Sequence, residues 1–200
     1  IEELKRSDIR EVVEKRIREF KQAGRGSDKR LFSELCFCIL TANFSAKKSI
    51  RIQKEIGNGF LTLSEERLAK RLRELGYRYP ITRTRYIIEA RRWKVYIRDI
   101  LKSLRGNVLR EWFVKNVKGI GYKEASHFLR NMGYLDFAIL DFHIIRVLES
   151  YGLIDKVKSL GKKKYLEIEE VLRDVGKRAG LTLGGLDLYL WYMETGKVLK

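Results

Sequence analysis

Residues 117–126 of this 200-residue chain read VKGIGYKEAS, and residues 140–143 read LDFH. A Gly-hydrophobic-Gly sequence between two helical patterns predicts a hairpin whose backbone N–H groups can bind a phosphate. Gly119 and Gly121 can adopt φ > 0 and lack a Cβ, while Ile120 can turn inward and anchor the loop. The stretch therefore predicts a DNA grip formed by Gly119 and Gly121, with Lys118 as an adjoining cation.

Lys123 lies two residues beyond the second glycine. Apolar residues then recur at three- and four-residue spacing, which predicts a helix with Lys123 in its first turn. That position makes Lys123 a candidate amine nucleophile. The competing interpretation is an ordinary solvated lysine, because the chain contains 43 lysines and arginines.

Asp141 follows Lys123 by eighteen residues and precedes an apolar helical run over residues 142–148. The position is typical of an N-cap whose carboxylate accepts backbone N–H bonds. A catalytic carboxylate that stabilises a developing cation would be compatible with that role, because capping fixes its direction and favours its charged form. Both interpretations of Asp141 remain open at this point.

Helical periodicity recurs along the whole chain and no alternating strand pattern competes with it. We predict an all-α protein, a single unit over 1–200, in which two helical lobes flank a DNA-binding cleft that contains the hairpin. The predicted lobes are 1–75 with 180–200, and 80–178. The predicted helices span 11–20, 31–41, 47–56, 65–75, 82–101, 108–117, 124–132, 141–151, 164–178 and 183–193.

The charge of the chain favours a polyanionic partner. Forty-three basic residues against 26 acidic ones give a formal net charge of +17 and a pI near 9.9. Such a chain is expected to bind phosphates with strong salt dependence. Charge alone does not select among polyanions, and the hairpin is what points to duplex DNA.

Cys36 and Cys38 are the only cysteines, so the chain cannot complete a four-cysteine iron–sulfur cluster. With only His127 and His143 besides, a zinc or haem site is also not expected, and we predict no metal and no cofactor. We interpret His127 as a core histidine. The sequence contains no apolar run of 18 residues and no signal peptide, so we expect an intracellular protein that does not enter a membrane.

The hairpin with its lysine, the eighteen-residue gap and the Asp-x-His-hydrophobic-x-Arg-Val run of 141–147 resemble the helix-hairpin-helix DNA glycosylase superfamily. The resemblance is to its bifunctional glycosylase/AP-lyase branch, exemplified by endonuclease III. Within that branch the chain is most similar, over nearly its whole length, to the archaeal-type second class of 8-oxoguanine DNA glycosylase/AP lyases.

This resemblance implies a DNA repair enzyme that acts on duplex DNA containing 8-oxoguanine or abasic sites. Lys123 would form a Schiff base, Asp141 would stabilise the reacting sugar, and β-elimination would nick the strand. We expect a cytoplasmic, nucleoid-associated monomer. Two alternatives stay open: a glycosylase/lyase for another oxidised base, and a non-catalytic helix-hairpin-helix module that only binds DNA.

For base recognition the resemblance implies three residues. Lys200, at the end of the sequence, would discriminate 8-oxoguanine from guanine; the alternative is a frayed tail. Trp191 would stack on the base and Tyr79 would face it across the base, whereas the alternative for both rings is core packing.

The segment 41–45 lies between two predicted helices, where relatives carry a residue that fills the vacated base stack. Asn43 would reach the orphaned partner base and Phe44 would wedge the base step. The competing interpretation makes Asn43 or Ser45 the N-cap of the following helix.

Overall fold

The computed structural model describes residues 1–200, and all of its regular elements are helical, which confirms the all-α prediction. Residues 91–93 form a short 3₁₀ turn between two of the helices. The α-helices are α1 (Glu2–Lys5), α2 (Ile9–Gly24), α3 (Asp28–Thr41), α4 (Ala46–Ile56), α5 (Gly59–Thr62), α6 (Glu65–Glu74), α7 (Pro80–Ala90), α8 (Ile97–Ser103), α9 (Gly106–Asn116), α10 (Tyr122–Asn131), α11 (Phe142–Ser150), α12 (Lys162–Ala179) and α13 (Leu183–Thr195).

The chain folds as two compact units, one formed by 1–22 with 129–200 and the other by 23–128. This division differs from the predicted lobes. The N-terminal helix α2 packs with the last helix through an apolar cluster of Val13, Phe20, Leu188 and Tyr189. Helices α3 and α6, however, pack against α7, so the segment that follows α2 belongs with the middle of the chain.

The prediction of one long helix over residues 82–101 is wrong. Helix α7 begins at Pro80, ends at Ala90, and is followed by the 3₁₀ turn before α8 begins at Ile97. Arg91 donates to the carbonyl oxygens of Phe60 and Leu63 at 2.8 and 2.7 Å. Trp93 donates from its Nε1 to the carbonyl of Asn116 at 3.1 Å. These contacts with distant segments hold the chain in a turn despite its helical periodicity.

Residues 117–121 join α9 to α10, so the predicted hairpin between two helices is present. The first eight residues of α13, Leu183 to Leu190, are all buried, and α13 therefore forms a central element of its unit. Cys36 and Cys38 are buried and form no disulfide bond, and His127 is buried with its ring in edge contact with Phe37. None of the helices combines the length and apolar character needed to cross a membrane.

Candidate active site and nucleic-acid interface

The hairpin is shaped by one glycine in the left-handed region and one buried isoleucine. Gly119 has φ of 81°, and a Cβ built there would lie 2.4 Å from Cδ2 of Tyr86, so only glycine fits. Ile120 is buried, which confirms its inward orientation. Gly121 does not adopt a positive φ, although a glycine is free to do so. Its N–H instead donates to the carboxylate of Glu124 at 3.1 Å.

Lys123 lies in the first turn of α10, as predicted, and its amine contacts Glu124. The Lys123 Nζ lies 2.9 Å from Glu124 Oε1, and the two side chains are 26% and 12% exposed. With its other oxygen Glu124 accepts the Gly121 N–H, the reciprocal bond of a capping box. Sequence reasoning missed Glu124, although a glutamate three residues after a helix-opening glycine is a recognisable capping signal.

Lys118 presents its charge at the surface beside the hairpin. Its Nζ lies 2.9 Å from Glu89 Oε2, and its side chain is 65% exposed. An exposed ion pair of this kind contributes little to stability, so the lysine can exchange its carboxylate partner for a phosphate.

Asp141 is the N-cap of α11, as one interpretation of the sequence predicted. Its Oδ1 accepts hydrogen bonds from the backbone N–H groups of His143 and Ile144, both at 3.0 Å. Two such bonds favour the charged carboxylate and fix its orientation at the positive end of the helix. The cap therefore supplies the orientation that a catalytic carboxylate needs.

A buried polar network lies near Asp141 in the same unit. Arg130 forms an ion pair with Asp187 and donates from Nε and Nη2 to Asn131 Oδ1 at 3.1 and 2.9 Å. Burial raises the pKa of Asp187 to about 6; Arg130 opposes this rise, while the negative charge of Asp141 adds to it. Sequence reasoning missed Arg130 and Asp187, because 57 residues separate them in the chain.

Trp191 lies against His143, two residues after Asp141 in the same unit. Its ring meets His143 edge to face, with centroids 4.7 Å apart and planes at 78°. Glu194 approaches His143 Nδ1 at 3.5 Å and pairs with Arg146 at 3.2 Å. The Trp191 Nε1 is buried and has no hydrogen-bond partner in the structure. Trp191 is therefore a half-buried ring with an unused donor, packed against the ring of His143.

The last residues lie against the protein. Gly196 ends α13 in the left-handed conformation, with φ of 67°. Val198 then packs against the apolar cluster that includes Phe20 and Tyr189. Lys200 is half-buried.

Tyr79 and the segment 42–45 lie in the unit formed by 23–128. Tyr79 is half-buried at the start of α7, with the Arg78 guanidinium 5.1 Å from its ring centroid. Asn43 is exposed and has φ of 57°, the only positive φ at a non-glycine residue. Phe44 packs on Tyr77, with ring centroids 4.5 Å apart. Ser45 is the N-cap of α4, so Asn43 is not used as a cap.

Each unit thus contains part of the predicted site. The unit 23–128 contains Asn43, Phe44, Tyr79, Lys118, Gly119, Gly121 and Lys123. The unit of 1–22 and 129–200 contains Asp141, Trp191 and Lys200. No group of three or more His, Cys, Asp or Glu side chains is arranged to hold a metal ion.

Comparison with known proteins gives consistent matches over the whole chain. The model of a family described as 8-oxoguanine DNA glycosylase matches residues 13–181. A Methanocaldococcus jannaschii protein named 8-oxoguanine DNA glycosylase/AP lyase is 56% identical, over 100% of this chain and 97% of that protein. One of the same name from Korarchaeum cryptofilum is 55% identical, over 98% and 94%. The crystal structure of the M. jannaschii 8-oxoguanine glycosylase/lyase in complex with DNA containing 8-oxoguanine superposes with a TM-score of 0.97, at 56% identity, covering 100% of this chain and 97% of that one.

Proposed function

The chain belongs to the 8-oxoguanine DNA glycosylase family with a helix-hairpin-helix motif, and we propose that Lys123 and Asp141 carry its glycosylase/AP-lyase chemistry. The observation that supports this most directly is the position of Lys123 in the helical turn behind the Gly119 hairpin. A backbone that grips phosphate there would present the lysine amine to the sugar of the bound strand.

The first step is base excision. A base stacked in duplex DNA is out of reach, so the nucleotide must leave the stack, at a cost of about a few kcal/mol that protein contacts offset. The amine of Lys123 attacks the sugar C1′, a C1′–N bond forms, and the base departs with the electrons of the glycosidic bond and takes up a proton.

Asp141 stabilises the positive charge that develops on the sugar during this step. Its orientation is fixed by the N–H groups of His143 and Ile144, so little reorganisation is needed as that charge appears.

The second step is strand cleavage. Once the base has left, the sugar ring opens to a Schiff base between C1′ and the Lys123 nitrogen. This imine acidifies the 2′ proton; its loss expels the 3′ phosphate by β-elimination, and water then releases the lysine.

Base recognition is assigned to Tyr79, Trp191 and Lys200. The two rings are half-buried, which leaves part of each available for stacking on a purine. The Trp191 Nε1, buried without a partner, is a donor that a bound base can use. Lys200, on a docked tail, adds ammonium donors for the acceptors of an oxidised purine.

Binding to the duplex is assigned to the hairpin and to the loop before α4. Gly119, Gly121 and Lys118 bind the phosphodiester of the damaged strand. Asn43, exposed at the loop tip, occupies the space that the lesion leaves, and Phe44 supports it. The protein acts as a monomer on chromosomal DNA in the cytoplasm, at the nucleoid, and not at a membrane.

Borohydride trapping tests this proposal, because reduction of the Schiff base links the protein covalently to DNA. Wild type, Lys123→Gln and Lys118→Gln are compared on duplexes that carry 8-oxoguanine, thymine glycol or unmodified guanine. We expect adducts on 8-oxoguanine only, absent with Lys123→Gln and still formed at saturating protein with Lys118→Gln, which removes a phosphate contact but keeps the nucleophile.

Other outcomes have definite meanings. Adducts on thymine glycol instead of 8-oxoguanine would overturn the assignment of base recognition and retain the lysine chemistry. Persistent adducts with Lys123→Gln would overturn the nucleophile. Tight binding without adducts on any duplex would support a non-catalytic DNA-binding module.

A further inference from the structure

The loop that carries Asn43 adopts a conformation that the rest of the protein must hold. Asn43 has φ of 57° and is exposed. Asparagine tolerates the left-handed region better than most residues, but the conformation remains less favourable than the alternatives open to a free loop. The contacts of Ala42 and Phe44, on either side, therefore decide whether Asn43 keeps its position.

Arg83, from the first turn of α7, holds the residue before Asn43. Its Nη2 donates to the carbonyl oxygen of Ala42 at 3.2 Å. Its guanidinium carbon lies 5.9 Å from the ring centroid of Tyr79 and 5.4 Å from that of Tyr86. Because two rings and a carbonyl define its position, the guanidinium is fixed with little freedom.

Tyr77 holds the residue after Asn43. Its ring packs on Phe44, and its hydroxyl donates to the carbonyl of Leu40 at 2.8 Å. Burial raises the pKa of Tyr77 to about 12, while the charge of Arg83 acts in the opposite direction. Arg83 and Tyr77 thus lie close together behind the loop and hold it from both sides.

The same arginine is connected to the hairpin. Tyr86, over whose ring Arg83 lies, fills the space in which a Cβ of residue 119 would stand. No carboxylate pairs with Arg83, and its Nε is buried without a hydrogen-bond partner. A buried donor without a hydrogen-bond partner is unfavourable for stability. An arginine whose role was only to stabilise the fold would therefore ordinarily have partners for its charge and for its Nε.

We propose that Arg83 is a positioning residue for base flipping, which holds Asn43 ready to enter the stack and links that loop to Tyr79 and to the hairpin. The proposal rests on the proposed function, in which Asn43 fills the space left by the lesion. Arg83 acts on the step that extrudes the damaged nucleotide. It has no part in the chemistry at C1′.

The test compares a substrate that must be flipped with one in which the base is already lost. Single-turnover excision of 8-oxoguanine from duplex DNA and cleavage of a preformed abasic site are measured for wild type, Arg83→Lys and Arg83→Gln. We expect Arg83→Gln to slow excision about tenfold and abasic cleavage less than twofold, a difference of about 1 to 1.4 kcal/mol between the two barriers. Should Arg83→Gln fail to fold, Arg83→Lys, which keeps the charge without the planar fork, serves as the test variant.

Two further measurements separate positioning from general stabilisation. A 2-aminopurine opposite the lesion should fluoresce less in the Arg83 variants than in wild type, because its stack is not opened. In an Asn43→Ala background, the Arg83 substitution should have no further effect on excision, since Arg83 acts through Asn43. Arg78→Gln is the matched control, because Arg78 lies over the same Tyr79 ring, whereas the hydrogen bond to the loop comes from Arg83.

Equal losses on both substrates, or a full Arg83 effect in the Asn43→Ala background, would overturn the proposal. Failure of wild type to cleave the abasic site would instead overturn the proposed function. The two failures are therefore distinguishable.

Discussion

The hairpin region and the region around Asp141 use opposite means to place a reactive group. Around the hairpin, Lys123 and Glu124 are adjacent in the sequence and partly exposed. Around Asp141, the neighbouring Arg130 and Asp187 are almost fully buried and come from distant helices. The amine is therefore positioned by local backbone geometry, whereas the carboxylate is positioned by a helix cap beside a buried ionic network.

The largest effect that would sharpen this comparison is expected at Asp141. Asparagine is as good an N-cap as aspartate, so Asp141→Asn should change the free energy of unfolding by less than about 1 kcal/mol. Loss of the charge should slow single-turnover excision of 8-oxoguanine about 10³-fold. Ser64→Asn, at the N-cap of α6, is the control with unchanged activity. Excision within tenfold of wild type would show that the carboxylate only caps α11.

The buried network predicts a pH dependence of stability. The pKa of Asp187 is about 6 in the folded protein against an ordinary value of 3.8, so the folded state binds this proton more tightly. The proton on Asp187 contributes up to about 3 kcal/mol to the free energy of unfolding. This contribution is fully present below about pH 4 and is lost as the pH rises through 6.

Urea unfolding between pH 4 and 7 checks this expectation. Asp187→Asn should flatten the pH profile, whatever its effect on absolute stability, because it removes the titrating group. Asp174→Asn, at an exposed position, should leave the profile unchanged. Equal slopes in wild type and Asp187→Asn would contradict the assignment.

The methyl group added by Gly119→Ala should destabilise the hairpin. Gly119→Ala places a Cβ in the left-handed region and against Tyr86, so we expect a loss of about 2 kcal/mol in stability and weaker DNA binding. Gly152→Ala is the matched control: φ is 65° there, but no atom lies within 4 Å, so about 1 kcal/mol is expected. Thermal unfolding and DNA titration measure the stability and the DNA binding of both variants. Equal losses in the two variants would show that the contact with Tyr86 does not add to the effect of Gly119→Ala.

The smallest effect is expected at Glu124. Glutamine can still accept the Gly121 N–H, whereas alanine cannot, so Glu124→Ala should lower stability by about 1 kcal/mol and Glu124→Gln by less than half of that. Thermal unfolding of both variants checks the order. Equal losses with the two variants would mean that the Lys123 ion pair, which both variants remove, and not the cap, is what stabilises the hairpin.

Sequence analysis predicted those parts of the site whose residues lie close together in the sequence. The hairpin requires Gly119 and an inward Ile120, and a polar residue before an apolar helical run marks Asp141 as a cap, so both could be recognised locally. The capping bond of Glu124 to Gly121 also joins residues close in sequence, but sequence analysis did not predict it. Nor did sequence analysis predict that Gly121 lies outside the positive-φ region.

The parts that sequence analysis could not predict depend on distant partners. The end of α7 at Ala90 is fixed by bonds from Arg91 and Trp93 to carbonyls elsewhere in the chain. The pairing of Arg130 with Asp187, and the contact of Arg83 with Ala42, likewise join residues far apart in sequence. No periodicity or spacing records such partners, because they depend on how the helices pack.

The central claim is that the Lys123 nitrogen bonds to the sugar, and the most direct measurement is to locate that bond. Wild-type protein is trapped with borohydride on an 8-oxoguanine duplex, digested with protease and nuclease, and the modified peptide is sequenced by mass spectrometry. The claim predicts a reduced sugar remnant on Lys123 and on no other residue. A remnant on Lys118, Lys200 or the terminal amine would contradict it.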